Sequence, residues 1–157
     1  MKVTLTRKER RNVLTCVRAD GSRTRADVGP GLPQHDLAHF VVEQRFALRG
    51  GFFGNVAAGY CLQALGEKEV IRSLGRESWK AEVLARALGS LATGACTAEQ
   101  FTELVNTELA HHGIAPIAAL DAPAIACLLG EFRELLDRYA ALRHGESLEL
   151  EFDQTLR

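Results

Sequence analysis

The sequence predicts an α+β domain with an antiparallel sheet of three N-terminal strands and one C-terminal strand, covered by four to five helices. Three observations support this fold class. Residues 1–30 have strand-like patterns, the middle of the chain has a helical apolar period, and residues 147–152 alternate again. At 157 residues, the chain has the length of one domain, so residues 1–157 are predicted to fold as a single unit.

Turn signals delimit the N-terminal strands. Residues 2–6 alternate apolar and polar side chains, and residues 12–18 are rich in β-branched side chains. Asp20-Gly21 is a strong hairpin signal, which predicts residues 23–28 as the partner strand. Residues 29–33, Gly-Pro-Gly-Leu-Pro, then break the strand pattern.

The helical part begins at Pro33, which suits a first helical turn, and Gly50-Gly51 suits the end of that helix. Residues 52–65 are apolar on nearly all sides and contain several small residues, which predicts a buried helix. Thr97 and Gln100 form a capping-box pattern. Further helices are predicted at residues 78–91, 97–111 and 124–143, whereas the pattern of residues 67–75 is ambiguous.

The charge distribution pairs the last strand with the first three. Residues 1–30 carry eight Lys or Arg against three Asp or Glu, whereas residues 121–157 carry four against eight. Opposite charges on neighbouring strands attract, so we expect cross-strand Arg–Glu pairs between these segments.

Composition excludes several classes of protein. A net charge of −1 argues against a nucleic-acid partner. No apolar run is long enough to span a membrane, and the first residues lack the apolar core of a signal peptide. The four cysteines form no C-x-x-C motif and have apolar or small neighbours, so we expect them to be reduced and packed as small hydrophobes. A cytoplasmic location follows as an expectation.

The most informative pattern lies at the start of the first predicted helix. His35, His39 and Glu43 are four residues apart and therefore project from one strip of the helix. Two imidazoles at this spacing can bind one divalent ion, such as zinc, and a carboxylate can complete or orient the site. The pattern is similar to the H-E-x-x-H helix of zinc hydrolases, with Asp36 in the position of the glutamate. Asp36 is therefore a candidate orienting or proton-accepting group.

This candidate metal site is incomplete on its own helix. Glu43 lies two turns from His35, about 12 Å along the axis, so all three residues cannot easily share one ion. Glu43 is either a ligand or a carboxylate that orients a ligand. Other ligands have to come from elsewhere, and the candidates are His111, His112, His144 or a glutamate.

A structural interpretation of the same residues is favoured over the metal site, because short motif matches often arise without the function. His35 and Asp36 suit a helix N-terminus, where a carboxylate meets the positive end of the dipole. His39 then forms a hydrogen bond inside the fold, and Glu43 pairs with an arginine at the surface. The glycine-rich segment 50–54 can likewise cradle an anion with its N–H groups or form a tight corner between helices.

The same region resembles a family of small bacterial proteins that has no assigned activity. The resemblance rests on a P-H-D-L-x-H-F-V-V-E helix followed by G-x-F-G, and it covers about residues 30–60. This chain departs from the pattern because Gln34 stands between Pro33 and His35. The resemblance implies a shared fold and no particular function.

Two functions therefore remain open, and whether the protein is an enzyme is undecided. The first is a non-enzymatic binding or structural module that self-associates through residues 52–65 or an exposed helix face. The alternative is a divalent-metal protein, conceivably a zinc hydrolase, with His35 and His39 as ligands. The sequence identifies no small-molecule ligand or substrate.

Overall fold

A computed structural model describes residues 1–30, 33–118 and 120–153 and confirms the α+β class. A four-stranded antiparallel sheet is formed by three N-terminal strands and one C-terminal strand, and the helices lie between them in the sequence. Gly31 and Leu32, which belong to the predicted break at residues 29–33, lie outside the described residues.

The sheet consists of β1 (Lys2–Thr6), β2 (Val13–Val17), β3 (Arg23–Asp27) and β4 (Ser147–Glu151), in the order β3-β2-β1-β4. The Asp20-Gly21 turn joins β2 to β3, and Gly21 has the positive φ of 80° that this turn requires. Lys2 Nζ lies 2.8 Å from Glu149 Oε2 on the neighbouring β4. The expected charge pairing between the first and last strands is therefore present, with a lysine instead of an arginine.

The helices among the described residues are α1 (Gln34–Arg45), α2 (Phe52–Ala57), α3 (Lys68–Ser73), α4 (Arg76–Ala92), α5 (Ala98–His111) and α6 (Ala122–Ala140). The capping box at the start of α5 is confirmed, because the Thr97 and Gln100 side chains each bond the other residue's backbone N–H. The ambiguous segment 67–75 contains the short helix α3. Its presence raises the number of helices above the predicted four to five.

The predicted helix at residues 52–65 was wrong in its length. Within this segment only α2 is α-helical, because the φ of 117° at Gly59 is incompatible with an α-helix. A short 3-10 turn follows at Ala64–Gly66. The small residue Gly54 serves the chain's own corner, since a Cβ there would overlap the backbone carbonyls of Leu48 and Arg49. The helix in this segment is therefore shorter than expected, and self-association through residues 52–65 or through an exposed helix face stays a prediction.

The helix α1 lies in the centre of the molecule. Every residue from Leu37 to Glu43 is buried, and α1 contacts α2, α4 and α6. Its apolar side chains join one core with the inner face of the sheet, which includes Val3 and Leu14. A central, fully packed helix holds the polar side chains that it carries in fixed positions.

The cysteines do not all pack in the core, contrary to the expectation from their neighbours. Cys16 is fully buried, whereas Cys61 and Cys127 are exposed and Cys96 is partly buried. All four are free thiols. Burial raises the pKa of the Cys16 thiol to about 12, which keeps it protonated and unreactive at neutral pH.

No helix in the described part of the chain combines the length and the apolar character needed to cross a membrane.

Candidate metal centre

Three potential metal ligands meet where α1 packs against α4. The Nε2 atoms of His35 and His39 are 3.2 Å apart. Oε2 of Glu82, on α4, lies 3.3 Å from the first nitrogen and 3.1 Å from the second. The three atoms therefore form a nearly equilateral triangle, and all three carry lone pairs that can bind a divalent ion.

The size of this triangle matches one face of a zinc coordination tetrahedron. Zinc binds imidazole nitrogen and carboxylate oxygen at about 2.0–2.2 Å, so ligand atoms at tetrahedral angles lie roughly 3.3 Å apart. The observed edges of 3.1–3.3 Å fall close to that separation. An ion at bonding distance from all three atoms would keep one position free.

The buried carboxylate of Glu43 fixes the orientation of the His39 ring. Its Oε1 accepts a hydrogen bond from His39 Nδ1 at 2.9 Å, so His39 presents Nε2 to the triangle. The same carboxylate accepts the backbone N–H groups of Phe52 at 2.7 Å and Gly54 at 3.0 Å. A carboxylate behind a ligating imidazole is the usual outer partner in metal sites, where it fixes the ring and increases its basicity.

The glycine-rich segment explains how a carboxylate can be fully buried here. The N–H groups at the start of α2 point at Glu43, so the anion that this segment cradles is the protein's own side chain. Gly51 has no Cβ because one would overlap the Glu43 carboxyl group. Segment 50–54 is therefore a tight corner, and its N–H groups bind the buried Glu43 carboxylate of the protein itself.

The carboxylate of Glu82 is held from both sides. Its Oε2 faces the two imidazoles, while its Oε1 lies 3.3 Å from Nε of Arg86, one turn further along α4. Arg86 in turn pairs with Glu108 on α5. This chain of ion pairs orients one oxygen of Glu82 towards the histidines.

The charges of the His39, Glu43 and Glu82 side chains reinforce one another. Burial disfavours a charged imidazole, but the hydrogen bonds to Glu43 and Glu82 outweigh it and raise the pKa of His39 to about 9. The hydrogen bonds from His35 and His39 hold the pKa of Glu82 far below its ordinary value, although partial burial opposes them. The site thus concentrates negative charge around His39, and a cation can replace the proton on Nε2.

The triangle opens into a cavity of about 440 Å³. The side chain of His35 is 57% exposed and that of Glu82 is 35% exposed, so solvent reaches the face of the triangle that the helices leave open. Asp36 also lines this cavity. Burial raises the pKa of Asp36, and the nearby imidazoles of His35 and His39 partly oppose that effect.

The structure brings His35 and His39 together and separates Glu43 from the open side of the triangle. Glu43 contacts the other ring nitrogen of His39, so its position fits the orienting role, and it is not the surface partner of an arginine. Among the described residues, the three-ligand cluster contains none of the other histidines considered. His111 and His112 end α5, and His144 lines a different cavity.

Sequence analysis missed Glu82, although a glutamate was among the candidate ligands. Glu82 lies beside the buried residues Ala81 and Val83 on α4, and its own side chain is 35% exposed. Its place in the sequence does not reveal that α4 packs beside the two histidines.

No protein-family model, curated protein or solved structure matches this chain. The resemblance to the small bacterial family stays a prediction, and the functional argument rests on the geometry of this chain alone.

Proposed function

We propose that this protein binds one zinc-type divalent ion through His35, His39 and Glu82 and acts as a metal-dependent hydrolase. The observation that carries the proposal is the 3.1–3.3 Å triangle of ligand atoms, open to a cavity on one side. Glu43 is the carboxylate that orients His39.

The open position favours a catalytic site over a structural one. Structural zinc sites are closed by four protein ligands, whereas catalytic sites use three, commonly two histidines and a glutamate, and leave the fourth position to water or substrate. A zinc ion at such a position lowers the pKa of its bound water to about 7 and polarises a carbonyl or phosphoryl oxygen. These properties favour hydrolysis as the reaction class.

The convergence of the three atoms is compatible with a bound ion. Without a metal, one proton on His39 Nε2 can be shared between Glu82 Oε2 at 3.1 Å and His35 Nε2 at 3.2 Å. A divalent ion would take the place of that proton and use the lone pairs of all three atoms.

The proposal is tested by titrating chelator-treated, untagged protein with zinc in a calorimeter. We expect saturable binding of one zinc per chain, with an apparent binding enthalpy that depends on the ionisation enthalpy of the buffer because zinc displaces the His39 proton. The absence of saturable binding would refute the proposal. The zinc-loaded protein is then assayed on 4-nitrophenyl acetate and bis(4-nitrophenyl) phosphate, and turnover above that of the metal-free protein is expected on at least one of them.

Asp36 is the proposed proton acceptor in this reaction. Asp36→Asn keeps the shape of the side chain but cannot take up a proton, so we expect an unchanged zinc affinity and a rate lower by about 100-fold. The acid limb of the pH–rate profile should also change, because the ionisation of Asp36 no longer contributes to it. An Asn variant that keeps the wild-type rate and profile with zinc bound would remove Asp36 from the mechanism.

A further inference from the structure

The cavity above the triangle is lined by two chemically different groups of side chains. The polar group belongs to the metal centre and includes Asp36 and the proposed ligands. The apolar group comes from α2, the 3-10 turn, α3, the link that follows it and α4, namely Phe52, Leu65, Ile71, Leu74 and Trp79. The Phe52 ring lies beside the His39 ring, with centroids 5.8 Å apart, so the two groups adjoin. A cavity with both kinds of lining suits a ligand that has a polar head and an apolar body.

Two large hydrophobic side chains of the cavity wall are exposed to solvent. Ile71 is 39% exposed and Trp79 is also 39% exposed, although both are large hydrophobic residues. They lie on the same side of the molecule and border the same cavity. The remaining face of the Trp79 indole is held by stacking on His112, with ring centroids 4.4 Å apart. The wall is therefore positioned before any ligand arrives.

The cavity also has the size of a small molecule. About 440 Å³ accommodates one aromatic ring or a short aliphatic chain with a polar head. This volume lies in the range of small-molecule sites.

We infer that the cavity binds small molecules that have an oxygen-donor head for the metal and an aromatic or aliphatic body for the wall of Phe52, Ile71 and Trp79. The inference rests on the proposed function, because the head needs the metal. It adds the class of ligand: compact monoanionic or neutral carbonyl compounds with one apolar substituent, in place of polar sugars or nucleotides. The apolar wall supplies the selectivity, since removing a ring's surface from water favours binding.

Three probes separate the contributions of head and body. Benzohydroxamic acid has a metal-binding head and a ring, acetohydroxamic acid has the same head without the ring, and benzamide has the ring without a strong metal-binding head. Binding is followed by the fluorescence of Trp79, the only tryptophan in the chain. With zinc bound, we expect benzohydroxamic acid to bind on the order of tenfold tighter than acetohydroxamic acid. Benzamide should bind more weakly than benzohydroxamic acid.

A pair of exposed hydrophobic residues supplies a matched variant and control. Ile71→Ser changes the cavity wall, whereas Leu104→Ser changes a residue of α5 that is similarly exposed, at 42%, and does not line this cavity. We expect Ile71→Ser to weaken the binding of benzohydroxamic acid several-fold and to leave the affinities for acetohydroxamic acid and zinc unchanged. Leu104→Ser should leave all three affinities unchanged.

The outcomes distinguish this inference from the proposed function. If the protein binds no zinc, both the proposed function and the ligand class are refuted. A protein that binds zinc but binds the two hydroxamic acids equally, or responds equally to Ile71→Ser and Leu104→Ser, refutes the ligand class and leaves the metal centre standing.

Discussion

Glu82→Gln is expected to reduce the zinc affinity of this protein by at least 100-fold while the fold is retained. Glu82 supplies the only carboxylate oxygen of the three-ligand cluster found among the described residues, and Gln offers a neutral oxygen that binds zinc poorly. Its side chain is 35% exposed, so losing the charge leaves no fully buried polar group unsatisfied. Calorimetric titration with zinc measures the loss, and thermal unfolding of the metal-free variant checks the fold.

Glu108→Gln is the matched control for this variant. Glu108 has nearly the same side-chain exposure, 34%, and pairs with the same Arg86, but it lies on α5 and is not a member of the ligand triangle. We expect wild-type zinc binding from Glu108→Gln. Equal zinc affinities in the two variants would mean that the electrostatic field of the Arg86 ion-pair network, and not ligation by Glu82, determines zinc binding.

Glu43→Gln is expected to have the largest effect on stability, lowering the free energy of unfolding by about 3 kcal/mol. The Glu43 carboxylate is fully buried and accepts three donors, from His39, Phe52 and Gly54. The amide of Gln has nearly the same volume but presents its own N–H₂ group to at least one of these donors, which leaves buried groups unsatisfied. Urea denaturation of the metal-free protein measures the loss.

The same substitution separates an orienting role from a purely structural one. Because Glu43 holds the His39 ring, zinc affinity of the folded Glu43→Gln variant should fall by about 10–100-fold. Glu134→Gln on α6 is the control, since that side chain is 71% exposed and its nearest cation lies 3.9 Å away. It should change stability by less than about 0.5 kcal/mol. A Glu43→Gln variant as stable as Glu134→Gln would contradict the role assigned to the buried carboxylate.

The fold could be predicted where the signals are local. Asp20-Gly21 and the capping box of Thr97 depend on residues within four positions of each other, and both act in the structure as expected. The boundary of α2 could not be predicted in the same way. The apolar pattern of residues 52–65 continues past the end of the helix, and the end depends on the positive φ of Gly59.

The candidate site shows the same difference between local spacing, which could be predicted, and distant contacts, which could not. His35 and His39 share one helix, so their spacing was enough to bring them together. Glu82 follows His39 by 43 residues, and only the packing of α4 against α1 makes it a neighbour. The role of Glu43 likewise depends on the N–H groups of a separate segment that folds back over it. Contacts between distant segments depend on tertiary packing, which residue spacing within one helix does not specify.

The most direct test of the metal centre is the anomalous diffraction of crystals grown with one equivalent of zinc per chain. We expect a single strong peak about 2.0–2.2 Å from Nε2 of His35, Nε2 of His39 and a carboxylate oxygen of Glu82, with a water or buffer oxygen in the fourth position towards the cavity. No peak between α1 and α4, or a zinc ion bound only at other residues, would contradict the assignment of this site.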